Sequence, residues 1–179
     1  MVFAAGTLAP DLGFFPGSPA SFSHRVHQER TADFVRCLVA GASSPEEHAF
    51  AKGWALHVIV DTATHPFVTA EAANMGAPRG APGPDRSQLW HKKLEWGFDC
   101  HVLSRDEDAE IGDQVEALRH TEPEGGFLRA AANLYESDAS EVALRRGWIS
   151  MTLWVPRLLR ILLWTGSVRW PGRTLPTQL

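Results

Sequence analysis

Two stretches of this chain set imidazoles and carboxylates at helical spacing. In "GWALHVIVDTATHPFV", residues 53–68, His57, Asp61 and His65 stand four residues apart. In "LWHKKLEWGFDCHVL", residues 89–103, His91, Glu95 and Asp99 repeat the same spacing. A helix turns once in ~3.6 residues, so positions i, i+4 and i+8 fall within roughly 80° of one another. The neighbours Trp54, Leu56, Val58, Ile59 and Val60 mark the first stripe as mostly buried, and a buried carboxylate is costly unless it is paired or holds a metal. One such stripe is compatible with an ordinary salt-bridged helix face. Two of them on separate helices point further, because neutral imidazole and carboxylate are the donors that zinc and similar divalent ions take from helices.

Two smaller pieces add donors. Asp11 follows Pro10 in "GTLAPDLGFFPG", a stretch that reads equally as a simple Pro-Asp turn. His24 and His27 lie near a helix start in "FSHRVHQERTADF", where a lone histidine is ordinarily a capping or surface group. Together the pieces supply at least seven candidate ligands, enough for more than one metal. Other signatures are missing: there is no H-E-x-x-H, no Glu-x-x-His pair, no P-loop, no G-x-S-x-G and no His-Asp dipeptide.

The elements that must position these groups read as helices. With 179 residues, 44% of them hydrophobic, the chain can bury one sizeable core, and residues 1–179 are expected to form a single compact all-α domain with the metal cluster between helices. The apolar pattern predicts a helix from about Ser23 to Val39 and another opened by Ser44, Pro45 and Glu47 as a capping box. That second helix is expected to end at His65, because the residue before a proline is pushed out of the α region. Ser87 begins a helix to about Leu103. Shorter helices are expected over 106–119 and 126–135, and a final one from Ser140 to Trp164 bent at Pro156. Residues 8–20 read as a loop, and residues 74–87 as a long loop suited to a lid.

Composition narrows the partners. A formal net charge of −4 leaves no basic face for a nucleic-acid backbone, so no nucleic acid is expected. Cys37 and Cys100 read as two free thiols. The N-terminus has no basic segment or apolar run of a secretory signal, which predicts a cytoplasmic protein, or a secreted one if the chain is trimmed at its start. "WISMTLWVPRLLRILLWTG" is apolar, but Arg157 and Arg160 near its centre would cost ~2.5–3.5 kcal/mol each in a bilayer, so no transmembrane segment is expected.

The ordered set G-x-L-A-P-D, F-S-x-x-x-H, H-x-x-x-D-x-x-x-H-P and H-x-x-x-E-x-x-x-D resembles the bacterial zinc-dependent phospholipase C family over roughly residues 5–104. The resemblance implies an all-helical fold with a zinc cluster at the bottom of a cleft, an architecture that the single-strand-specific zinc nucleases share. It implies that Asp11, His27, His57 and Asp61 bind one zinc, and that His65, His91 and Glu95 bind a second. Asp61 would also reach toward a third. His27 rather than His24 takes the ligand slot in that alignment, Asp99 supports the site from outside, and His48, His101 and His120 are surface groups. In the family the third metal also uses an early histidine and, in the secreted phospholipases, an N-terminal tryptophan. The ten residues before Asp11 contain neither. Either the third metal is absent or weakly held, or the chain lacks a first helix.

The function expected from this is zinc-dependent hydrolysis of a phosphodiester, most simply a phospholipid, by metal-activated water, with Asp11 as ligand and general base. The alternative is a metal-stabilised helical module without catalysis, touching a membrane surface through Trp148, Trp154, Trp164 and Trp170 interleaved with Arg157 and Arg160.

Overall fold

The computed structural model describes residues 2–76, 86–103, 125–135 and 140–167. Among them every regular element is helical and no strand occurs. In chain order they are α1 (Val2–Leu8), a 3-10 helix (Ala9–Phe14), α2 (Ala20–Gln28), α3 (Thr31–Gly41), α4 (Pro45–Gly76), α5 (Ser87–Leu103), α6 (Gly125–Tyr135) and α7 (Glu141–Ser167). The chain groups into two compact units, Met1–Ala63 with Glu110–Pro156 and Thr64–Ala109 with Arg157–Leu179. The expected lid loop falls largely outside the described residues, as do the helix over 106–119, His120, Trp170 and the side chains of Cys100 and Trp164. Cys37 is a free thiol.

The first unit is built on aromatic rings. Phe22, Phe34, Phe50, Trp54, Phe127, Tyr135 and Trp148 are each at most 2% exposed. Their ring centroids lie 4.7–6.5 Å apart, mostly tilted or edge to face, the separation and orientations that the aromatic quadrupole favours. Trp148 is therefore a core residue and not part of an interfacial face. Around this core two glycines let α1 lie directly on α4. A Cβ at Gly6 would overlap the Phe50 carbonyl, and one at Gly53 would overlap the Phe3 carbonyl. That close approach brings the end of α1 against the middle of α4.

Several expected boundaries move. The helix expected over 23–39 is two helices, broken where Glu29 is extended and Arg30 takes a left-handed conformation at φ 54°. Such a residue costs about 1–2 kcal/mol. The break is held from outside: the Tyr135 hydroxyl donates to the Glu29 carbonyl at 2.8 Å, and the Arg25 guanidinium lies 5.2 Å over the Tyr135 ring. Apolar periodicity continues across the two-residue interruption, so it could not reveal it. The loop expected over 8–20 is largely structured too, by the end of α1 and the 3-10 helix, which accepts Pro10 near its start where no N–H is needed.

Helix α4 does not stop at His65. It runs through Pro66 to Gly76, although an interior proline removes one hydrogen bond and costs ~3 kcal/mol. Val68 and Ala72, beyond the proline, are 1% and 2% exposed, and their burial offsets that loss. Nor is the stretch around His57 mostly buried. Leu56, Ile59 and Val60 are exposed, and α4 packs through Phe50, Ala51, Gly53 and Trp54 instead. His57 and Asp61 sit half-buried at the edge of that face.

The start of α4 departs from the expected capping box in one detail. The Ser44 hydroxyl accepts the Glu47 N–H at 3.1 Å, but the Glu47 carboxylate reaches back to the N–H and hydroxyl of Ser43, both at 2.7 Å. Its other oxygen accepts the Gly126 N–H at 2.8 Å and Arg129 at 3.2 Å, tying α4 to the N-terminus of α6. The Ser43 donors above all hold this carboxyl down at about 2, against an ordinary 4.5. Because the folded value is depressed, the stabilisation is complete above pH 4.5 and is lost as pH falls toward about 2. Glu47→Ala should lower stability at pH 7 by about 1–3 kcal/mol, and Glu47→Gln should flatten the acid dependence between those values. Thermal melts of the two variants from pH 2 to 7 check both.

Candidate metal centre

In the first unit three elements converge. The 3-10 helix carries Asp11, α2 carries His27, and α4 carries His57 and Asp61. One ligand atom each of Asp11, His27 and His57 lies within 4.8 Å of the others. Asp61, one turn beyond His57, lines the same pocket of about 230 Å³ together with His27, His57, Thr31 and Thr62.

The ring orientations define what this pocket wants. His27 Nδ1 is 2.6 Å from the Ser23 carbonyl, and His57 Nδ1 is 2.9 Å from the Thr7 carbonyl. Carbonyl oxygens only accept, so each Nδ1 carries its proton, and in a neutral ring Nε2 is then a bare lone pair. The two Nε2 atoms nevertheless face each other at 3.1 Å, with an Asp11 oxygen 3.3 Å from His27 Nε2. Three acceptors cannot satisfy one another. They need a proton or a cation between them.

In the protein alone the proton is the available cation. Burial works against charging His27, but the Asp11 carboxylate and the Ser23 carbonyl, with the charges of Asp11 and Asp61, outweigh it and raise the pKa above 6.5. The spacing also suits a metal. Donors at ~2.0–2.1 Å around a tetrahedral ion lie roughly 3.3 Å apart, close to the 3.1 and 3.3 Å observed. The residues present fit zinc.

In the second unit His65 of α4 meets His91 and Glu95 of α5. Glu95 Oε1 lies 2.9 Å from His91 Nε2 and 3.2 Å from His65 Nε2, with the two rings 5.0 Å apart and nearly perpendicular. Here the acceptor is a carboxylate, so two Nε2–H groups can be satisfied without a metal. The three groups are 20–43% exposed, which leaves room for a water or substrate oxygen as a fourth ligand. Asp99 is exposed, as are His48 and His101.

His24 and His27 are separated clearly. His24 is exposed with its ring 5.1 Å from Phe14, while His27 faces Asp11 and His57. His27→Ala should therefore lose bound zinc, and His24→Ala should keep it; metal analysis of the two purified variants decides between them. Sequence reading did not find the two carbonyls, of Thr7 and Ser23, that set the ring orientations. Main-chain acceptors leave no signal in residue types.

Helices that bring imidazole and carboxylate donors together in this way define a candidate metal-binding protein. The family model "Zinc dependent phospholipase C" matches residues 1–145, and the chain belongs to that family. All seven candidate ligands lie within the matched span. Neither the curated proteins nor the solved structures give a match.

Proposed function

We propose that this chain is a zinc-dependent phosphodiester hydrolase of the phospholipase C type, acting on phospholipid. The observation that carries the reading is the pair of Nε2 lone pairs turned toward each other, and toward Asp11, by backbone carbonyls behind both rings. A protein has little reason to aim three acceptors at one point unless a cation belongs there. Family membership supports zinc as that cation and phospholipid as the substrate class.

Zinc bound to such donors polarises phosphoryl oxygens and supplies hydroxide near neutral pH. His27, His57 and Asp11 would hold it, with Asp61 as a further donor, and His65, His91 and Glu95 would hold a second ion. Asp11, 42% exposed on a short helix, would take a proton from an incoming water as well as bind metal. The Nδ1–H bonds to the Thr7 and Ser23 carbonyls would hold both rings with Nε2 toward the ion. The test is turnover of a phosphatidylcholine and of a nitrophenyl phosphodiester by the zinc-loaded protein. Activity that disappears with chelator and returns with zinc is expected; a zinc-loaded protein inert toward both substrates refutes the reading.

One observation favours a second reading, a metal-stabilised module that only rests on a lipid surface. Along α7, Val142, Ile149 and Leu153 share an outward face and are 45–63% exposed, with Arg145 and Arg146 beside them. No described helix is long and apolar enough to cross a membrane. Co-sedimentation with vesicles in the absence of any turnover supports this second reading.

A further inference from the structure

We propose that Ser23 is the positioning residue that holds Asp11 and His27 in one register, and that Gly13 is shaped to admit it. The inference rests on reading Asp11, His27 and His57 as metal ligands. Ser23 is 0% exposed, and Thr152, at 8%, is the other serine or threonine buried as a whole among the described residues. Thr152 bonds within its own helix, to the Ile149 carbonyl. Ser23 instead reaches across elements. Its hydroxyl donates to the Pro10 carbonyl at 2.6 Å and accepts the Gly13 N–H at 2.8 Å. Those two partners bracket Asp11 in the chain.

The same residue touches the second ligand through its main chain, because its carbonyl accepts the His27 Nδ1–H at 2.6 Å. One residue of α2 thus grips the turn that carries Asp11 and orients the ring of His27. The grip is needed because a short 3-10 helix has poor hydrogen-bond geometry and little stability of its own. A hydroxyl suits the place, since it donates and accepts at once. Gly13 completes the arrangement: a Cβ there would meet the Ser23 hydroxyl oxygen at 2.7 Å and overlap the Pro19 carbonyl, so any side chain would force Ser23 away.

Ser23→Ala would leave the Pro10 carbonyl and the Gly13 N–H unpaired and release the turn, loosening Asp11 relative to His27. Groups that orient metal ligands in this way change affinity by about 10–100-fold. The experiment is competitive chelator titration of zinc on the full chain, in a His91→Ala, Glu95→Ala background that isolates the first group and in a His57→Ala background that isolates the second. Ser23→Ala is expected to weaken the first group at least tenfold and leave the second unchanged. Ser18→Ala removes a buried hydroxyl that has no hydrogen-bond partner and is expected to change neither. Leu38→Ala lowers stability by removing a buried side chain of α3, a helix that carries no candidate ligand, and is expected to leave first-group affinity intact.

Equal weakening of both groups by Ser23→Ala, or affinity within twofold of the parent, overturns the proposal. If His57→Ala itself loses no first-group zinc, the ligand reading fails instead, which is a distinct outcome. Should Ser23→Ala not fold, amide exchange of Gly13 in the unmodified chain decides. Coupling is reciprocal, so zinc must slow exchange at Gly13 if the clamp and the metal support each other. A Gly13 rate unchanged by zinc overturns the proposal.

Discussion

His57→Ala is expected to lose first-group zinc, phosphodiesterase activity and a large part of the thermal stability together. His57 contributes one of the two facing Nε2 atoms, so its removal breaks the group at its centre. A ligand present at a thousand times its Kd stabilises the folded state by ~4 kcal/mol. For a chain of this size that corresponds to a melting temperature lower by roughly 8–16 °C. The stability loss should be seen only when zinc is supplied, because without metal the variant also relieves the crowding of three acceptors. His48→Ala, an exposed histidine bonded only to the Ser44 carbonyl one turn before it, is the control and should change none of the three. Paired melts with zinc and with chelator check the result. A His57→Ala protein that keeps full zinc content and an unchanged melt removes the metal reading of this pocket.

The second large effect is stoichiometric. Metal measured after extensive dialysis should approach two zinc ions per chain. The first group offers Asp11, His27 and His57, with Asp61 in the same pocket; the second offers His65, His91 and Glu95. Three protein ligands with one open position is the arrangement of a catalytic zinc. Among the described residues no third group of imidazole and carboxylate donors stands beside these two, and a third ion would have a shared Asp61 oxygen to bind. One carboxylate oxygen does not hold zinc against water and buffer. The two groups also differ in what they do when empty. His65 and His91 can each donate to Glu95, whereas His27 and His57 oppose lone pairs, so a measured value of one assigns the ion to the first group. His91→Ala separates the cases: it should lower a content of two toward one and leave a content of one unchanged.

By itself the sequence determined the helical class and two stripes of candidate donors, His57, Asp61 and His65 on one helix and His91, Glu95 and Asp99 on another. Each of these follows from spacing along a single helix, and i, i+4 geometry is local. His57 with Asp61, and His91 with Glu95, are neighbours wherever their helices lie. The family resemblance also pointed to His27 over His24, a choice that spacing alone left open. What only the tertiary structure decided was everything set by contacts between elements. The break at Glu29–Arg30 depends on Tyr135, more than a hundred residues away. The continuation of α4 through Pro66 goes with the burial of Val68 and Ala72, which outweighs a local rule about proline. The exposure of Leu56, Ile59 and Val60 follows from which face of α4 meets α1, and that face is chosen by Gly6 and Gly53, residues with no side chain to announce it. The orientation of the site rests on the Thr7 and Ser23 carbonyls. Every residue has such an acceptor, so only the packing of helices could say which two would stand behind the histidines.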